Sequence, residues 1–467
     1  MNDCESGLRP LRVATLITRL EGGAGVLTVR GAKALDPARF QSTIITGSGS
    51  HLLEEAAAAG LEVIMEPTLR APIDPRNDVR ALRALSSLLR QRSFDVAHTH
   101  TSKAGALGRM AARRAGVPRI IHTYHGFPFH EFQSPGRRTA YIAIERRLGR
   151  ITDVALCVGT GVAVEAVRRG LIAPERIRTI GVAVDGMSGT ELPARTPGAR
   201  ARARHALGVP AGATVIGAVG RLTYQKAPED FLTMIGQLSR ADVVGVWVGG
   251  GELAEHVGRL AAKQPAGRVV LAGERTDVPQ VLPAFDVFAL PSRYEGLPTV
   301  VVEAMVCGIP VVATAVNAVA DVVVPGETGL LVPPQRPDLM ADAVRYLLDR
   351  PAVAAYMAAN ARARLADRFG IAAIRDALTA AYTGLEGCGR SSTAAQPAVP
   401  VRTEPVTSRD IPDLRFHLRF TLQWGVSRIM AVRWALLCTR LGFPAQEPGS
   451  RFAGSEAFPA RSSAQGT

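Results

Sequence analysis

A chain of 467 residues, 47% hydrophobic and 21% charged, has the length and balance of a soluble globular protein of two or three domains. Its net charge of +14, from 55 Lys and Arg against 41 Asp and Glu, points to anionic partners: nucleotide diphosphates or anionic lipid head groups. With aromatics at 5% and no RNA- or DNA-binding motif, nucleic acid is excluded from the expected partners. Cys4, Cys157, Cys307, Cys388 and Cys438 are scattered, odd in number and without metal-ligand spacing, which predicts reduced thiols in a cytoplasmic protein. Residues 1–10 are polar and hold acids, so they do not read as a signal peptide. No uninterrupted apolar run reaches the ~18 residues of a membrane span. Any membrane contact is therefore expected to be peripheral, at the inner face of the cell membrane.

From residue 11 to about 181, short apolar runs alternate with helical stretches. Residues 12–17 read as the first strand, before the loop Glu21-Gly22-Gly23-Ala24-Gly25 and a helix to Leu35. Further strands are read over 42–45, 62–65, 95–98, 119–123 and 154–158, with helices such as 78–91 and 104–115 between them. Such alternation predicts an α/β fold, a parallel sheet with helices on both faces. Right-handed crossovers then put the loops that follow the strands on one rim, where open sheets bind ligands.

Residues 191–204, rich in Pro, Ala, Gly and Arg, read as an interdomain linker. A second alternating run has strands at 214–219, 243–248, 269–272, 287–290 and 311–313, and the apolar piece 330–332 leads into a helix over 338–349. Between 387 and 413 Ser, Thr, Ala and Pro predominate, as in a flexible linker. Residues 414–443 are apolar and basic: 414–424 alternate like a strand, and 429–441 suit a basic amphipathic helix. This piece either lies in an anionic membrane interface or packs back on the preceding domains. Residues 451–467 read as a disordered tail.

The most informative stretch is PSRYEGLPTVVVEAMVCGIPVVAT, residues 291–314. A helix over 299–305 puts Glu303 about one turn from its start and Glu295 in the turn before it. The free N–H groups and positive dipole end of that helix face the same place. Such a helix start, flanked by two acids, suits a phosphate. It is equally compatible with an ordinary strand-turn-helix-strand unit whose acids are a cap and a surface charge.

Glu295 and Glu303, set in S-x-x-E-G-L-P…E-A-M-x-C-G-x-P-V-V-A-T, resemble the signature of the retaining nucleotide-sugar glycosyltransferases of family 4. The resemblance extends over about residues 11–385. It implies the GT-B fold, two doubly wound Rossmann-like domains facing across a cleft. The acceptor-side domain would span 11–190 and the nucleotide-sugar-binding domain 205–350. Terminal helices over 351–386 would return towards the first domain, ahead of the extension 387–467.

The same resemblance implies roles. Arg221 and Lys226, after the strand that opens the second domain, look like the family's pair that grips the diphosphate. A guanidinium fork and a compact ammonium suit phosphate oxygens. Glu303 would accept from the ribose hydroxyls, and Glu295 would hold a hydroxyl of the donor sugar. Gly296, Leu297 and Thr299 form the helix start, beside Pro298, which has no N–H to give. Gly249-Gly250-Gly251 either lets backbone approach a ligand or is simply a turn. In the first domain Gly22-Gly23-Ala24 resembles the glycine loop that faces the cleft. His98 and His100 resemble the family's H-x-H segment, without the third ligand a metal would need. His125, in His122-Thr123-Tyr124-His125-Gly126, would lie beside the transferred sugar as a hydrogen-bond donor or a base. Phe127-Pro128-Phe129-His130 with Arg137 and Arg138 would form an acceptor-side loop. One departure is Gly181-Val182-Ala183-Val184-Asp185, where the family usually shows an Asn-Gly-Val-Asp-like turn.

The expectation is a metal-independent, retaining hexosyltransferase whose co-substrate is a nucleotide-diphosphate sugar. A UDP-linked N-acetylhexosamine is the first donor candidate, and the acceptor belongs to polysaccharide or lipid-linked glycan synthesis. Glycosylation of a secondary metabolite, such as a nucleoside or aminoglycoside antibiotic, and nucleotide-sugar epimerisation are the alternatives.

Overall fold

Strands that are apolar along their whole length are covered on both faces. In the computed structural model, which describes residues 9–182, 195–365 and 370–384, such runs build two parallel sheets. The readings of Cys4, Cys388, Cys438, Asp185, the linker 387–413 and the extension 414–467 lie outside the described residues.

The first half runs β1 (Leu11–Leu20), α1 (Gly22–Ala34), β2 (Phe40–Gly49), α2 (His51–Ala58), β3 (Glu62–Met65) and α3 (Pro75–Arg92). It continues with β4 (Val96–His100), α4 (Ser102–Ala115), β5 (Arg119–Tyr124), α5 (Pro135–Gly149), β6 (Val154–Cys157), α6 (Thr160–Arg168) and β7 (Ile177–Thr179). The second half holds α7 (Pro197–Ala206), β8 (Thr214–Val219), α8 (Pro228–Gln237), β9 (Val243–Val248), α9 (Ala254–Ala261), β10 (Val269–Leu271) and α10 (Val278–Val281). Then come β11 (Val287–Leu290), α11 (Thr299–Val306), β12 (Val311–Thr314), β13 (Leu330–Val332) and α12 (Pro337–Leu348). Two helices, α13 (Pro351–Leu365) and α14 (Ile371–Thr383), complete the described chain.

Strand order is β3-β2-β1-β4-β5-β6-β7 in one sheet and β10-β9-β8-β11-β12-β13 in the other, all neighbours parallel. Both are doubly wound, with the order reversing beside the first strand of each. Side chains along β1 alternate between faces: Leu16 packs with Leu85, Leu89 and Leu107, and Ile17 with Val29 and Leu52. This is the α/β, GT-B architecture the motifs implied.

Two elements differ from the sequence reading. The stretch 191–204, read as linker, is helical from Pro197. Thr196 caps that helix by accepting from the Ala199 N–H at 3.2 Å, and Pro197 sits in its first turn. Arg195, Arg200 and Arg204 recur on one side and meet Asp286 at 2.7, 2.6 and 2.7 Å. Ala and Arg are good helix formers, so the composition that suggested a linker also suits a helix with a docking partner. The second difference is β7, too short at Ile177–Thr179 to stand out as a strand. Beyond the second sheet, α14 returns to the first domain, where Tyr382 meets His98 and a methyl on Gly31 of α1 would touch Leu378.

Candidate functional site

In both sheets the singled-out residues follow the carboxyl ends of strands. Glu21 to Gly23 follow β1, His100 ends β4, and His125-Gly126 follow β5. Gly220 to Lys226 follow β8, and Pro291 to Pro298 follow β11. The two rims meet. A Cβ built on Gly296 would lie 1.6 Å from the His125 carbonyl oxygen, so only glycine allows this approach. One on Gly23 would lie 3.3 Å from Thr299 Oγ1, which sets the start of α1 opposite the start of α11. The rings of His130 and Tyr294 stack across the cleft at 4.1 Å. Asp321 also accepts from the Gly161 N–H at 3.1 Å.

Glu295 is 5% exposed, and its carboxylate is fully engaged. Lys226 Nζ lies 2.5 Å and Ser292 Oγ 2.7 Å from Oε1, while Gln225 Nε2 approaches Oε2 at 3.4 Å. Asn317 Nδ2 donates to the Glu295 carbonyl. A buried carboxylate needs such partners to stay charged. The Lys226 stem runs past Gly220, whose added Cβ would sit 3.2 Å from it. Arg221 is exposed and makes no ion pair among the described residues. Its loop is braced by Arg293, stacked 4.3 Å over the Tyr224 ring and donating to the Tyr224 carbonyl at 2.6 Å. Asp230 lies 3.6 Å from the same guanidinium. Glu303 is half-buried on α11, one turn in from its start.

The helix starts offer donors. Neither Glu21, before α1, nor Pro298, before α11, caps its helix with a side chain. The Val301 N–H already donates to the Pro298 carbonyl at 3.0 Å, and the other first-turn N–H groups, with the positive dipole end, are available to an anion. Of the three glycines after β9, Gly249 and Gly251 have φ of +135° and +150°. Added Cβ atoms there would collide with the Gly220 and Leu222 carbonyls at 2.2 and 2.6 Å. Leu222 N–H donates to the Gly250 carbonyl at 2.7 Å. This run packs one loop against another, so the turn alternative carries a structural reason of its own.

The histidines separate into distinct environments. His98 is spanned by Tyr382 OH at 2.8 Å from Nδ1 and Thr123 Oγ1 at 2.7 Å from Nε2; burial pushes its pKa down to about 3. His122 Nδ1 lies 2.9 Å from Thr99 Oγ1, and burial, then Arg109, holds it well below the usual value. Half-buried His125 is pushed down to about 4 by burial and is neutral at pH 7. Burial also lifts the Cys157 and Cys307 thiols to about 12, so neither is a nucleophile at neutral pH.

The structure thus brings Lys226, Glu295, Gly296 and Thr299 together with Gly22, Gly23 and His125. Arg221 stands on the same loop as Lys226, and Gly250 on the loop beside it. Sequence reasoning missed Ser292, Gln225, Arg293 and Asn317. A signal existed for Ser292 and Gln225, which adjoin motif residues, but none for Asn317. Among non-glycine residues with positive φ, Thr101, Ala227 and Asn317 adjoin this site, the pattern expected where function sustains backbone strain.

Comparison with known proteins agrees with this fold. Residues 21–185 match the pattern described as Glycosyltransferase Family 4, and residues 213–350 that of Glycosyl transferases group 1. The chain is 32% identical over 259 residues to the UDP-Gal:alpha-D-GlcNAc-diphosphoundecaprenol alpha-1,3-galactosyltransferase of Escherichia coli. That alignment covers 54% of this chain and 65% of the E. coli enzyme, just under two thirds of its length. Identity to the D-inositol 3-phosphate glycosyltransferase of Saccharomonospora viridis is 34% over 315 residues, 62% of this chain and 70% of that one. Among solved structures, Anabaena HepE in complex with UDP and glucose superposes with a TM-score of 0.69 at 21% identity, covering 80% of this chain and all of that one. WaaG, a glycosyltransferase involved in lipopolysaccharide biosynthesis, gives 0.64 at 18%, again over 80% of this chain and 100% of its own. With the fold and these relatives in agreement, the chain belongs to the family 4 glycosyltransferases of GT-B fold.

Proposed function

We propose that the chain transfers a sugar from a UDP-linked donor, with retention of anomeric configuration, to an acceptor in lipid-linked glycan or polysaccharide synthesis. The observation that carries this is the Lys226–Glu295 pair, 2.5 Å apart at the start of α11 and facing His125-Gly126 of the other domain. It sets a cation, a carboxylate and unpaired amides around one spot. In the reaction the bond between the anomeric carbon and the β-phosphate oxygen breaks, and its electron pair stays on the departing diphosphate. Lys226, Arg221 and the amides of Leu297 and Thr299 neutralise that charge, the largest single contribution a protein makes to such a step. Glu303 accepts from the ribose diol. Released from Lys226 by the incoming phosphate, Glu295 takes a hydroxyl of the sugar. The acceptor oxygen attacks from the face the diphosphate leaves, and a phosphate oxygen receives its proton. Gly22 and Gly23 bring the α1 amides to the same anion, while Phe129, His130 and Arg137 border the acceptor side.

The donor belongs with the UDP-sugars on two grounds: the galactosyltransferase of E. coli is named for UDP-Gal, and HepE was solved with UDP. An N-acetylhexosamine remains the first sugar to try. A screen of nucleotide sugars with polyprenyl-diphosphate glycans, inositol phosphates and nucleosides as acceptors tests this, read by released nucleotide and by NMR of the new anomeric centre. An α-linkage from an α-linked UDP donor is expected. A β-linked product, or turnover of donor without acceptor to an epimer, would replace this reading. The machinery holds its charge with side chains and amides, so EDTA should leave the rate within about twofold, checked on the best donor of the screen.

A further inference from the structure

His125 does not present both ring nitrogens to the cleft. His100 Nδ1 lies 2.8 Å from His125 Nε2, so one of the two nitrogens donates a proton to the other. We infer that His100 is a positioning residue that donates from Nδ1 to His125 Nε2, so that His125 carries its own proton on Nδ1 and meets the donor sugar as a hydrogen-bond donor. This rests on the proposed placement of the sugar beside His125, and it decides between the donor and base roles that the sequence left open.

Three observations carry it. The first is the state of the pair: burial lowers both imidazoles, leaving them neutral near pH 7 with a single proton in their shared bond. A neutral imidazole has one donor and one acceptor nitrogen, so the direction of that bond fixes both tautomers. The second is the far side of His100. Its Nε2 is buried and has no hydrogen-bond partner among the described residues. Were His125 to donate, His100 would carry its proton on that nitrogen, and orphaned buried N–H groups are rarer than orphaned acceptors. The direction from His100 to His125 avoids this.

The third is the backbone. Thr101, immediately after His100, has φ 60° and ψ 163°, a region that is almost exclusively glycine's. Its hydroxyl lies 2.9 Å from Thr18 Oγ1, which also accepts from the Ala104 N–H at 3.0 Å. The β1 strand thus grips the turn that aims His100. Its neighbours are engaged elsewhere, since His98 ties α14 to β5 and His122 is held by Thr99, whereas among the described residues the ring of His100 bonds only to His125. The strained turn therefore directly follows the residue whose ring reaches His125.

The test uses the full chain labelled with 15N-histidine, in which His125 is assigned by its absence from His125→Gln. The unaltered protein should show His125 protonated at Nδ1, and His100→Leu should move the proton towards Nε2. In the same variant kcat should fall roughly tenfold, the scale of one lost hydrogen bond, with the donor KM unchanged. His100→Asn, whose amide can donate from nearly the same point, should recover most of the rate. A melting temperature close to that of the unaltered protein separates this from a folding defect. His125 protonated at Nε2 in the unaltered protein would overturn the inference, as would a normal kcat in His100→Leu. Normal turnover in His125→Ala is a different failure: it would remove His125 from the sugar site and the proposed function's geometry with it.

Discussion

At the scale of single residues, the site is a set of charges that satisfy one another until a ligand arrives. Glu295 would be costly to bury alone, and Lys226 is the cation that pairs with it. Lys226→Ala therefore removes the diphosphate's point charge and leaves a carboxylate unpaired. Its kcat should drop by roughly 100- to 1,000-fold, the usual cost of one missing charge-stabilising donor. Steady-state rates with the best UDP-sugar check this; a loss under tenfold would move the leaving group elsewhere. The buried histidines make a second prediction. Folded-state values of about 3 for His98 and about 4 for His125, against an ordinary 6.5, mean that the unfolded chain binds more protons below pH 6.5. Stability is full above that pH and lost progressively as pH falls towards 4. Melting temperature should decline across that window, and less steeply in His98→Gln. These residues differ in how far the sequence revealed them. Glu295, Lys226 and His125 stand in runs with a recognisable order of residue types. Asn317 and the His100–His125 bond do not, because no spacing along the chain records which side chain a fold will bring alongside. The pairing of Lys226 with Glu295, 69 positions apart, is of the same kind.

Secondary-structure elements were legible where burial dictates composition. β8, β9, β11 and β13 have the bounds their apolar runs suggest, since a strand between two helical layers has little room for polar residues. α7 was not legible, because what holds it is a partner far along the chain. Asp286 gathers Arg195, Arg200 and Arg204, and also accepts from the Val215 N–H at 2.8 Å. Asp286→Asn would leave three guanidinium groups facing one another around a neutral amide. A loss of about 2 kcal/mol is expected, below the 3–5 typical of a fully buried pair because Arg195 and Arg200 reach solvent. Urea unfolding would measure it; a change under about 0.5 kcal/mol would mean that α7 docks by apolar packing alone.

For the whole molecule, catalytic geometry depends on how closely two rims approach. At Gly296 they come close enough that an added Cβ would lie 1.6 Å from the His125 carbonyl oxygen. Gly296→Ala inserts a methyl group into a carbonyl oxygen, so the rims must separate. Each sheet should keep its fold and melting behaviour, while transfer falls more than tenfold, since an ångström of misplacement can cost 100-fold. Small-angle scattering should show a larger radius of gyration. An unchanged rate and radius would mean that the contact is not part of the working state.

The hydrogen bond between His98 and Tyr382 joins residues 284 positions apart. During synthesis β4 leaves the ribosome long before its partner exists, and α1 waits longer still for the helix that covers Gly31. The front half of the protein is thus finished last. A nascent chain interrupted after the second sheet would hold an imidazole with one unanswered nitrogen and a bare apolar flank, a natural target for chaperones until translation reaches α14.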